Sequence, residues 1–437
     1  MEEQIKQSVK DFLQNCGMSA ENIDLMGETE KFIAEMEQGL AGAGGSLKMI
    51  PTYINASCEI PVGEPVIAID AGGTNFRVAV VTFDGNKKPS LEGFQKFPMP
   101  GTQGKLGREE FFRTIADYLS PLLGKAKKIG FCFSYPTEIL PNGDGRLIRF
   151  CKEIQVDGVE GELVGQGLLD AIAAAGGDMG KSIVLLNDTV ATLLGGKAER
   201  ANRQYGSYIG FILGTGTNTC YIEKIGNITK LDGLHPDGAM IVNIESGAYD
   251  KAPRGLVDVE FDAETTNPGE HAFEKMISGG YFGELALATF KRAAAEGLLS
   301  AACGKELAAI GEFATKDVNE YLDDPHGSGA LARCCAGDAD REALYYLVDG
   351  LYERAAKFVA ANLSAVVKKS GAGRSPCMPV CVTADGTMFN KSKMFRSKLE
   401  HYVKVHMNEA MGLYAEFIEV ENATLLGTAI AGLTGCV

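Results

Sequence analysis

The sequence predicts an α/β protein, because short apolar strands alternate with helical segments over most of its 437 residues. A composition that is 45% hydrophobic supplies enough apolar side chains for roughly two or three domains with real cores. After Pro65 the predicted elements are a strand hairpin, a helix over 109–123, a strand over 128–135, a helix over 162–174 and a strand over 183–186. Later elements are strands between 208 and 242, helices over 271–295 and 341–369, a strand over 379–383, a helix over 394–407, a strand over 415–420 and a helix over 423–433.

The first 60 residues have a different pattern. Apolar residues at helical spacing predict helices around 9–13 and 32–40, and a glycine-rich turn follows at 42–45. Because this region precedes the alternating elements, we expect it to form a helical arm that packs on a later domain.

Two of the predicted hairpins contain glycine-threonine turns. Asp70-Ala-Gly-Gly-Thr-Asn-Phe-Arg77 joins the first pair of strands, and Gly214-Thr-Gly-Thr217 joins a second pair. Either turn alone is as consistent with a tight hairpin as with an anion site. Their repetition indicates an internal duplication and favours phosphate binding, because glycines let a bulky anion approach the backbone amides. Asp70, at the end of a strand, has the oxygen ligands to hold Mg²⁺ through water.

The strand over 183–186 ends at Asn187-Asp188-Thr189, where a helix begins. Open α/β sheets bind ligands at the carboxyl ends of their strands, which makes Asp188 a candidate functional residue. Phosphoryl transfer to an alcohol requires one carboxylate to accept the hydroxyl proton, and no histidine lies within these motifs. Asp is equally suited to be the N-cap of a helix, so that alternative stays open.

The segment Ala175-Gly-Gly-Asp-Met-Gly-Lys-Ser182 is similar to a phosphate-binding P-loop. A P-loop follows a strand and begins a helix, whereas this segment leaves a helix and enters a strand. We therefore predict a helix-to-strand turn without a phosphate site.

Composition excludes several classes of function. A formal net charge of −15 argues against binding to nucleic acid or to an acidic membrane surface. No apolar run approaches the roughly 18 residues of a membrane span, and the first residues read as an amphipathic helix, so a cytoplasmic location is expected. The 11 scattered cysteines predict free thiols, and their spacing predicts no structural metal.

An ordered set of motifs resembles the hexokinase family. The motifs are Asp70 to Arg77, Phe131-Cys-Phe-Ser-Tyr-Pro136, Leu186-Asn-Asp-Thr-Val190, Gly214-Thr-Gly-Thr-Asn218, Val242-Asn-Ile-Glu-Ser-Gly247, Asn267-Pro-Gly with Phe273-Glu-Lys275, and Ala384-Asp-Gly-Thr387. Each motif is short, but the ordered set is specific and extends over about residues 60–430. The resemblance implies an α/β actin-like ATPase (ribonuclease H-like) fold. That fold has two lobes, each with a mixed five-stranded sheet flanked by helices, and an active-site cleft between them.

The resemblance also implies a division of the chain. We expect the helical arm over 1–60 to pack on the large lobe, the small lobe to cover 61–187 and the large lobe to cover 188–437. The helix near 423–434 is a candidate to return to the small lobe.

The resemblance assigns the sugar site by position. Its implied residues are Ser134, Cys151, Lys152, Asn187, Asp188, Asn218, Glu245 and Glu274. Each hydroxyl of a hexose both donates and accepts, and these side chains supply matching partners. Asp188 is implied as the general base and Lys152 as a second catalytic group, placed where a cation stabilises the transferred charge. Without the resemblance, Lys152, Glu245 and Glu274 would be interpreted as solvated surface residues.

The nucleotide site is implied in the same way. Asp70 would hold Mg²⁺ through water, and the phosphates of ATP would contact Gly72, Gly73, Thr74, Asn75 and Arg77 of one turn and Gly214 and Thr215 of the other. Asp385, Gly386 and Thr387 match the adenosine motif of the family. Arg77 has an alternative, because an arginine entering a strand often pairs with a carboxylate across the sheet.

Two departures from the family pattern stand out. Phe150-Cys151-Lys152 replaces the usual Trp-Thr-Lys, so a weak thiol donor stands where the family has a hydroxyl that bonds the sugar. Residues 421–429 replace a glycine-rich run before the last helix, which leaves the adenine contacts unassigned.

The expected function is therefore ATP-dependent phosphorylation of the 6-hydroxyl of a hexose, glucose ahead of mannose or fructose, as the first step of glycolysis. One alternative is a kinase of the same fold for another sugar or small acid. A second is a non-catalytic sugar-sensing protein, against which the presence of Asp70, Asp188 and Thr215 argues. The expected partners are the hexose and ATP, without nucleic acid or membrane, and the chain is expected to be a monomer or a homodimer.

Overall fold

The computed structural model describes residues 2–56, 59–150, 154–178, 180–200 and 203–435. The helices are α1 (Glu2–Asn15), α2 (Leu25–Ala41), α3 (Arg108–Leu119), α4 (Val164–Ala174), α5 (Asp188–Glu199), α6 (Leu256–Glu264), α7 (Ala272–Ile277), α8 (Phe282–Ala295), α9 (Ala301–Ala309), α10 (Thr315–Asp323), α11 (Ala330–Cys334), α12 (Asp338–Ser370), α13 (Thr387–Lys391), α14 (Phe395–Tyr402) and α15 (Ala423–Thr434). A π-helical segment, Val403–Ala410, continues α14. Among the described helices, none combines the length and apolar character needed to cross a membrane.

The strands are β1 (Ile50–Asn55), β2 (Val66–Ala71), β3 (Asn75–Phe83), β4 (Pro89–Pro98), β5 (Leu106–Gly107), β6 (Lys128–Phe133), β7 (Thr137–Ile139), β8 (Gly145–Leu147), β9 (Val156–Asp157), β10 (Ser182–Leu186), β11 (Ser207–Leu213), β12 (Thr217–Lys224), β13 (Ala239–Asn243), β14 (Val380–Asp385) and β15 (Ala415–Ile418). They form two large mixed sheets and two small pairs within the described residues. The predicted two-lobed α/β architecture is confirmed.

The small-lobe sheet has the order β10-β6-β2-β3-β4 in the described chain. Strands β10, β6 and β2 are parallel, and β3 and β4 add antiparallel partners at one edge. Every residue of β2 is buried, as expected for a strand covered on both faces. One face packs on α3 and α4 through an apolar core that includes Ile69, Phe131 and Leu168, and α15 packs on β2 and β6.

The large-lobe sheet has the order β1-β13-β12-β11-β14-β15. The described chain thus gives this sheet six strands, and the expectation of five strands per lobe is wrong for the large lobe. The additional strand is β1, which pairs with the edge of β13. Residues 1–60 are therefore not wholly helical. Within this arm, α1 and α2 pack on the long helix α12, and Phe32 contacts the ring of Tyr249.

Helices α5 and α15 lie against each other between the two large sheets. Their closest approach occurs at glycine, where a Cβ on Gly427 would lie 1.7 Å from the carbonyl oxygen of Ala191. The apolar cluster around them includes Ala68 of the small-lobe sheet and Ile241 of the large-lobe sheet. This helix pair therefore forms the packed junction between the lobes.

Two local predictions have definite outcomes. The P-loop-like segment lies between the end of α4 and the start of β10, so its interpretation as a helix-to-strand connection is confirmed. The helical region predicted over 271–295 consists of two helices, α7 and α8, which are separated by Ser278-Gly279-Gly280-Tyr281. This interruption lies beside the second glycine-threonine turn.

Candidate active site

The carboxyl ends of three parallel strands bring the first group of candidate residues together. In the small-lobe sheet Asp70 of β2 pairs in register with Cys132 of β6, and Cys132 pairs with Leu186 of β10. Ser134, Asn187 and Asp188 come immediately after these positions. Because parallel strands end at one edge, these side chains share that edge with the first glycine-threonine turn.

The first turn is held by backbone hydrogen bonds and by the loop after β6. The amide of Gly72 donates to the carbonyl of Asn75 at 3.0 Å, and the amide of Ser134 donates to the carbonyl of Ala71 at 3.2 Å. The hydroxyl of Tyr135 donates to the carbonyl of Gly72 at 2.9 Å. Gly73 is half-buried, whereas Thr74 and Asn75 are exposed, so the tip of the turn is accessible to a ligand.

Asp70 lies beneath this turn and is only 2% exposed. Its Oδ2 lies 2.5 Å from Nη2 of Arg77 and accepts a hydrogen bond from the hydroxyl of Thr424 at 2.9 Å. Burial raises the pKa of Asp70 from its ordinary 3.8, and Arg77 and Thr424 oppose that shift. Arg77 thus pairs across the hairpin with a carboxylate, the alternative to phosphate binding that the sequence left open.

Asn187, and not Asp188, has the N-cap position of α5. The side chain of Asn187 accepts from the amide of Thr189 at 2.9 Å. Asp188 is the first residue of the helix, and its Oδ1 also accepts from that amide, at 2.7 Å. The first turn of α5 packs on the large-lobe sheet, where the thiol of Cys220 donates to the carbonyl of Thr189 at 3.2 Å. This contact fixes Asp188 at the junction of the lobes.

Asn218, Asn243 and Glu245 form a hydrogen-bonded triangle at the edge of the large-lobe sheet. The amide nitrogen of Asn218 donates to Oδ1 of Asn243 at 2.8 Å and to Oε1 of Glu245 at 3.1 Å. Asn243 donates to the same Oε1 at 2.7 Å. The Oδ1 of Asn218 accepts from the backbone amide of Glu245 at 3.0 Å, which holds the loop after β13. The triangle fixes the positions of three polar groups before any ligand binds.

Glu245 also has an unusual backbone and an unusual carboxyl group. Its φ of 61° is in the left-handed region, which is rare for a residue with a side chain and is frequent at functional sites. Burial raises the pKa of Glu245 above its ordinary 4.5, and the carboxylates of Asp188 and Glu274 raise it further. The amides of Asn243 and Asn218 act in the opposite direction. Two predicted site carboxylates, Asp188 and Glu274, therefore act on a third, Glu245.

Glu274, in the first turn of α7, connects this group to the second glycine-threonine turn. Its Oε2 accepts from the backbone amide of Thr217 at 2.8 Å. Glycine is needed beside it, because a Cβ on Gly216 would lie 2.5 Å from that oxygen. The predicted sugar side and the predicted phosphate side of the large lobe thus share a direct hydrogen bond.

The second turn meets the predicted adenosine motif and the interruption between α7 and α8. A Cβ on Gly386 would lie 2.3 Å from the carbonyl oxygen of Leu213 and 2.6 Å from the amide nitrogen of Gly214. Gly386 has a φ of 119° and is followed by α13, which begins at Thr387. Thr215, Asp385 and Thr387 are exposed around this contact. These residues form one continuous surface at the carboxyl ends of β11 and β14.

Two predicted residues, Cys151 and Lys152, lie outside the described residues. Three residues that the sequence did not predict make contacts at or near the candidate site. Asn243 lies inside a quoted motif and was the easiest to find, because an Asn next to a strand end has the donors and acceptors of a site residue. Thr424 gave no signal, since its partner Asp70 is far away in sequence. Arg149 in the small lobe has its Nη2 4.0 Å from Oε2 of Glu270 in the large lobe.

Known proteins of one family are similar to this chain. Hexokinase family models match residues 8–198 and 208–434. Hexokinase-5 of Oryza sativa subsp. japonica is 33% identical over 410 residues, which cover 86% of this chain and 79% of the rice protein. Hexokinase-1 of Schizosaccharomyces pombe is 30% identical over 430 residues, covering 92% and 86% of the two chains.

A solved structure supports the fold independently of these sequence matches. The hexokinase from Schistosoma mansoni complexed with glucose covers 100% of both chains with a TM-score of 0.80 at 24% identity. The two matching family models, the relatives matched over most of their length and this shared fold lead to one conclusion. The chain belongs to the hexokinase family, whose members are ATP-dependent phosphotransferases that act on a hexose hydroxyl.

Proposed function

We propose that this chain transfers the γ-phosphoryl group of ATP to the 6-hydroxyl of glucose, in the cleft between its lobes. The observation that carries the proposal is the group of three carboxylates, Asp188, Glu245 and Glu274. The first and last raise the pKa of Glu245, and Glu274 also accepts from the amide of Thr217 in the second turn. Carboxylates accept from sugar hydroxyls, whereas the turns offer backbone amides to phosphate. The Schistosoma mansoni hexokinase was solved as a complex with glucose, which supports glucose as the acceptor here.

In this proposal the large lobe recognises the sugar through preorganised groups. The triangle of Asn218, Asn243 and Glu245 presents amide donors and a carboxylate acceptor in fixed positions. Glu274 adds a second carboxylate, and Ser134 and Asn187 add contacts from the small-lobe edge. A site built to bond each hydroxyl discriminates strongly against analogues that lack one, because its own polar groups would then stay unpaired.

Asp188 is the proposed general base. Its carboxylate takes the proton from the 6-hydroxyl as that oxygen attacks phosphorus, and its fixed place at the start of α5 keeps it at the acceptor side. Lys152, a cation in the same proposal, stabilises the charge on the transferred group. Cys151 tunes the sugar contact through its weaker donor.

The proposed nucleotide site fits Mg·ATP in its donor chemistry. Asp70 supplies a carboxylate oxygen, which suits a hard cation held through water. Bound Mg²⁺ would neutralise charge on the β- and γ-phosphates. Gly72, Gly73, Thr74 and Asn75 offer one phosphate-binding surface and Gly214 and Thr215 the other, while Asp385, Gly386 and Thr387 bind the adenosine. Burial raises the pKa of Asp70, and the neighbouring Arg77 helps to keep the carboxyl ionised for this role.

The same proposal covers the organisation and setting of the enzyme. The helical arm over 1–60 belongs with the large lobe, the small lobe covers 61–187 and the large lobe covers 188–437. Helix α15 serves both lobes, which its packing on α5, β2 and β6 supports. The reaction would take place in the cytoplasm as the first step of glycolysis. The described cysteines are free thiols and most are buried, which suits a reducing compartment.

A sugar panel tests this function. ADP release from Mg·ATP is coupled to a dehydrogenase and measured with glucose, mannose, fructose, a pentose, acetate and no acceptor. We expect rapid turnover with glucose, weaker turnover with mannose and fructose and little turnover with acetate. High turnover with acetate alone would favour the small-acid kinase. Tight glucose binding without ADP release would favour the sugar-sensing alternative.

A further inference from the structure

A short segment, Ala272–Gly280, holds the second glycine-threonine turn at several points. It comprises α7 and the Ser278-Gly279-Gly280 interruption that follows, and we call it the brace. The carboxylate of Glu274 accepts from the amide of Thr217 at 2.8 Å. The amide of Gly279 donates to the carbonyl of Gly214 at 2.7 Å, and the amide of Gly280 donates to the carbonyl of Thr215 at 2.9 Å.

The two glycines of the brace are required by close approach. A Cβ on Gly279 would lie 2.8 Å from the carbonyl oxygen of Gly214, and one on Gly280 would lie 2.6 Å from the carbonyl oxygen of Thr215. Both neighbours are backbone atoms, so neither can rotate away as a flexible side chain would. Gly279 and Gly280 are absent from the positive-φ positions of the described chain. The requirement therefore comes from contact with the turn and not from backbone conformation.

The brace is anchored on the side away from the turn. The Nζ of Lys275 is buried and donates to Oδ1 of Asp262 at 2.6 Å, to Oγ1 of Thr265 at 2.8 Å and to the carbonyl of Asn267 at 2.7 Å. At the other end, the hydroxyl of Thr315 donates to the carbonyl of Gly279 at 2.7 Å. A displacement of Glu274 is therefore transmitted to the turn, because the intervening segment is fixed along its length.

We propose that the brace couples sugar binding at Glu274 to nucleotide binding at Gly214–Thr217, with Gly279 and Gly280 as positioning residues. The coupling rests on the proposed function, which gives Glu274 to the hexose and the turn to the phosphates. A hexose that immobilises the Glu274 carboxylate also immobilises the amide of Thr217 and the backbone beside it. Bound nucleotide orders the same elements from the opposite end, so each ligand lowers the cost of binding the other.

The test compares Gly279→Ala and Gly280→Ala with a matched control, Gly311→Ala. Gly311 lies outside the brace, a Cβ there would meet nothing within 4 Å and its φ is not positive, so this replacement should leave activity unchanged. Calorimetry gives the Kd of glucose with and without a non-hydrolysable Mg·ATP analogue, and steady-state kinetics give kcat and both KM values. In the wild type and in Gly311→Ala, the analogue should tighten glucose binding by about fivefold or more.

In the two glycine variants that ratio should fall towards one, and KM for ATP should rise by roughly tenfold or more. The Kd of glucose measured alone should stay at its wild-type value, because the sugar residues themselves are intact. A general loss of folding would instead change the Kd of glucose measured alone as well as the ratio and KM for ATP. Folded glycine variants that keep the wild-type ratio and the wild-type KM for ATP would overturn the proposal.

Hydrogen exchange of the wild-type protein provides a second measurement if the variants do not fold. Glucose alone should slow exchange of amides in 278–281, which lie on the phosphate side of the brace. Unchanged exchange there with glucose bound would contradict the coupling. If the wild type binds glucose and shows coupling but releases no ADP, the proposed transfer fails while the brace stands. If it releases ADP without coupling, only the brace fails.

Discussion

In the sequence, Asp188 is a candidate both for a helix cap and for a catalytic carboxylate. An aspartate between a strand and a helix is equally typical of a helix cap and of a catalytic carboxylate. In the structure the neighbouring Asn187 has the cap position and accepts from the amide of Thr189. The Asp188 carboxylate is also close enough to Glu245 to raise the pKa of that group. A chemical role is therefore compatible with a stable helix start.

Asp188→Asn separates the two roles. The amide keeps an oxygen that can accept from Thr189 but loses the basicity needed to take a proton, so kcat should fall by about 10²–10⁴-fold. The melting temperature and the Kd of glucose should change little. Steady-state ADP release, thermal unfolding and calorimetry give these three quantities. A variant with near-wild-type kcat would reduce Asp188 to a residue of the first helical turn.

Glu245→Gln should stabilise the protein while weakening sugar binding. The folded pKa of Glu245 is raised, so the folded chain holds a proton that the unfolded chain releases above about 4.5. Stability is therefore lost as pH rises from 4.5 through the raised value, and the charged group is unfavourable at neutral pH. Gln keeps an oxygen for the amides of Asn218 and Asn243 without that charge.

Urea unfolding at pH 7 and pH 4 measures this difference. We expect Glu245→Gln to gain about 0.5–2 kcal/mol at pH 7, and the gain should shrink at pH 4, where the wild-type carboxyl is also protonated. Glu138→Gln is the matched control, because that side chain is 62% exposed and should change stability little at either pH. A loss of stability at pH 7 would mean that the charge of Glu245 is favourable in its site.

The sequence alone singles out candidate site residues where the signal is local. Asp70 follows from its motif at a strand end, whereas Asn218 and Glu245 were assigned only through the resemblance to the hexokinases. The partner of Asp70 in α15, Thr424, comes from the other end of the chain, and no spacing rule links them. Arg77 fits phosphate or carboxylate equally in sequence, and only the hairpin register places it opposite Asp70.

At the scale of elements, long regular segments were predictable and irregular ones were not. Strand β1 escaped prediction because Pro51 and a left-handed Tyr53, with a φ of 56°, interrupt any simple alternation. The helical region predicted over 271–295 is interrupted at Gly279-Gly280, where the chain contacts the second turn. Tertiary contact overrides local propensity at both places.

The close contact between α5 and α15 leads to a prediction about the free energy of unfolding. The Cβ introduced by Gly427→Ala would lie 1.7 Å from the carbonyl oxygen of Ala191, so the two helices must separate. We expect a loss of about 1–3 kcal/mol in the free energy of unfolding, measured by urea titration. Gly124→Ala is the control, because its Cβ would meet nothing within 4 Å and its φ is not positive. Equal stability of the two variants would show that the helix junction can yield.

At the scale of the whole molecule, the candidate site is divided between two lobes, which meet at the α5–α15 junction. The small lobe contributes Asp70 and the first turn, and the large lobe contributes Glu245, Glu274 and the second turn. The pair Arg149–Glu270 reaches from lobe to lobe outside the junction, with both side chains more than half exposed. Such an exposed pair contributes only about 0–1 kcal/mol, so it cannot by itself hold the lobes together. Ligands that contact both lobes can therefore dominate their relative position.

This division predicts that hexose strongly stimulates the turnover of ATP. Water is a competing acceptor, and a site that stayed assembled without sugar would hydrolyse bound ATP at every opportunity. Closure driven by the binding energy of the sugar assembles the base and both phosphate turns only when the correct acceptor is present. ADP release should rise by roughly a hundredfold or more when glucose is added, a size expected when reacting groups become correctly placed. Small-angle scattering should show a smaller radius of gyration with glucose and an ATP analogue than without them. Equal ADP release with and without hexose would mean that the catalytic groups are already assembled in the free enzyme.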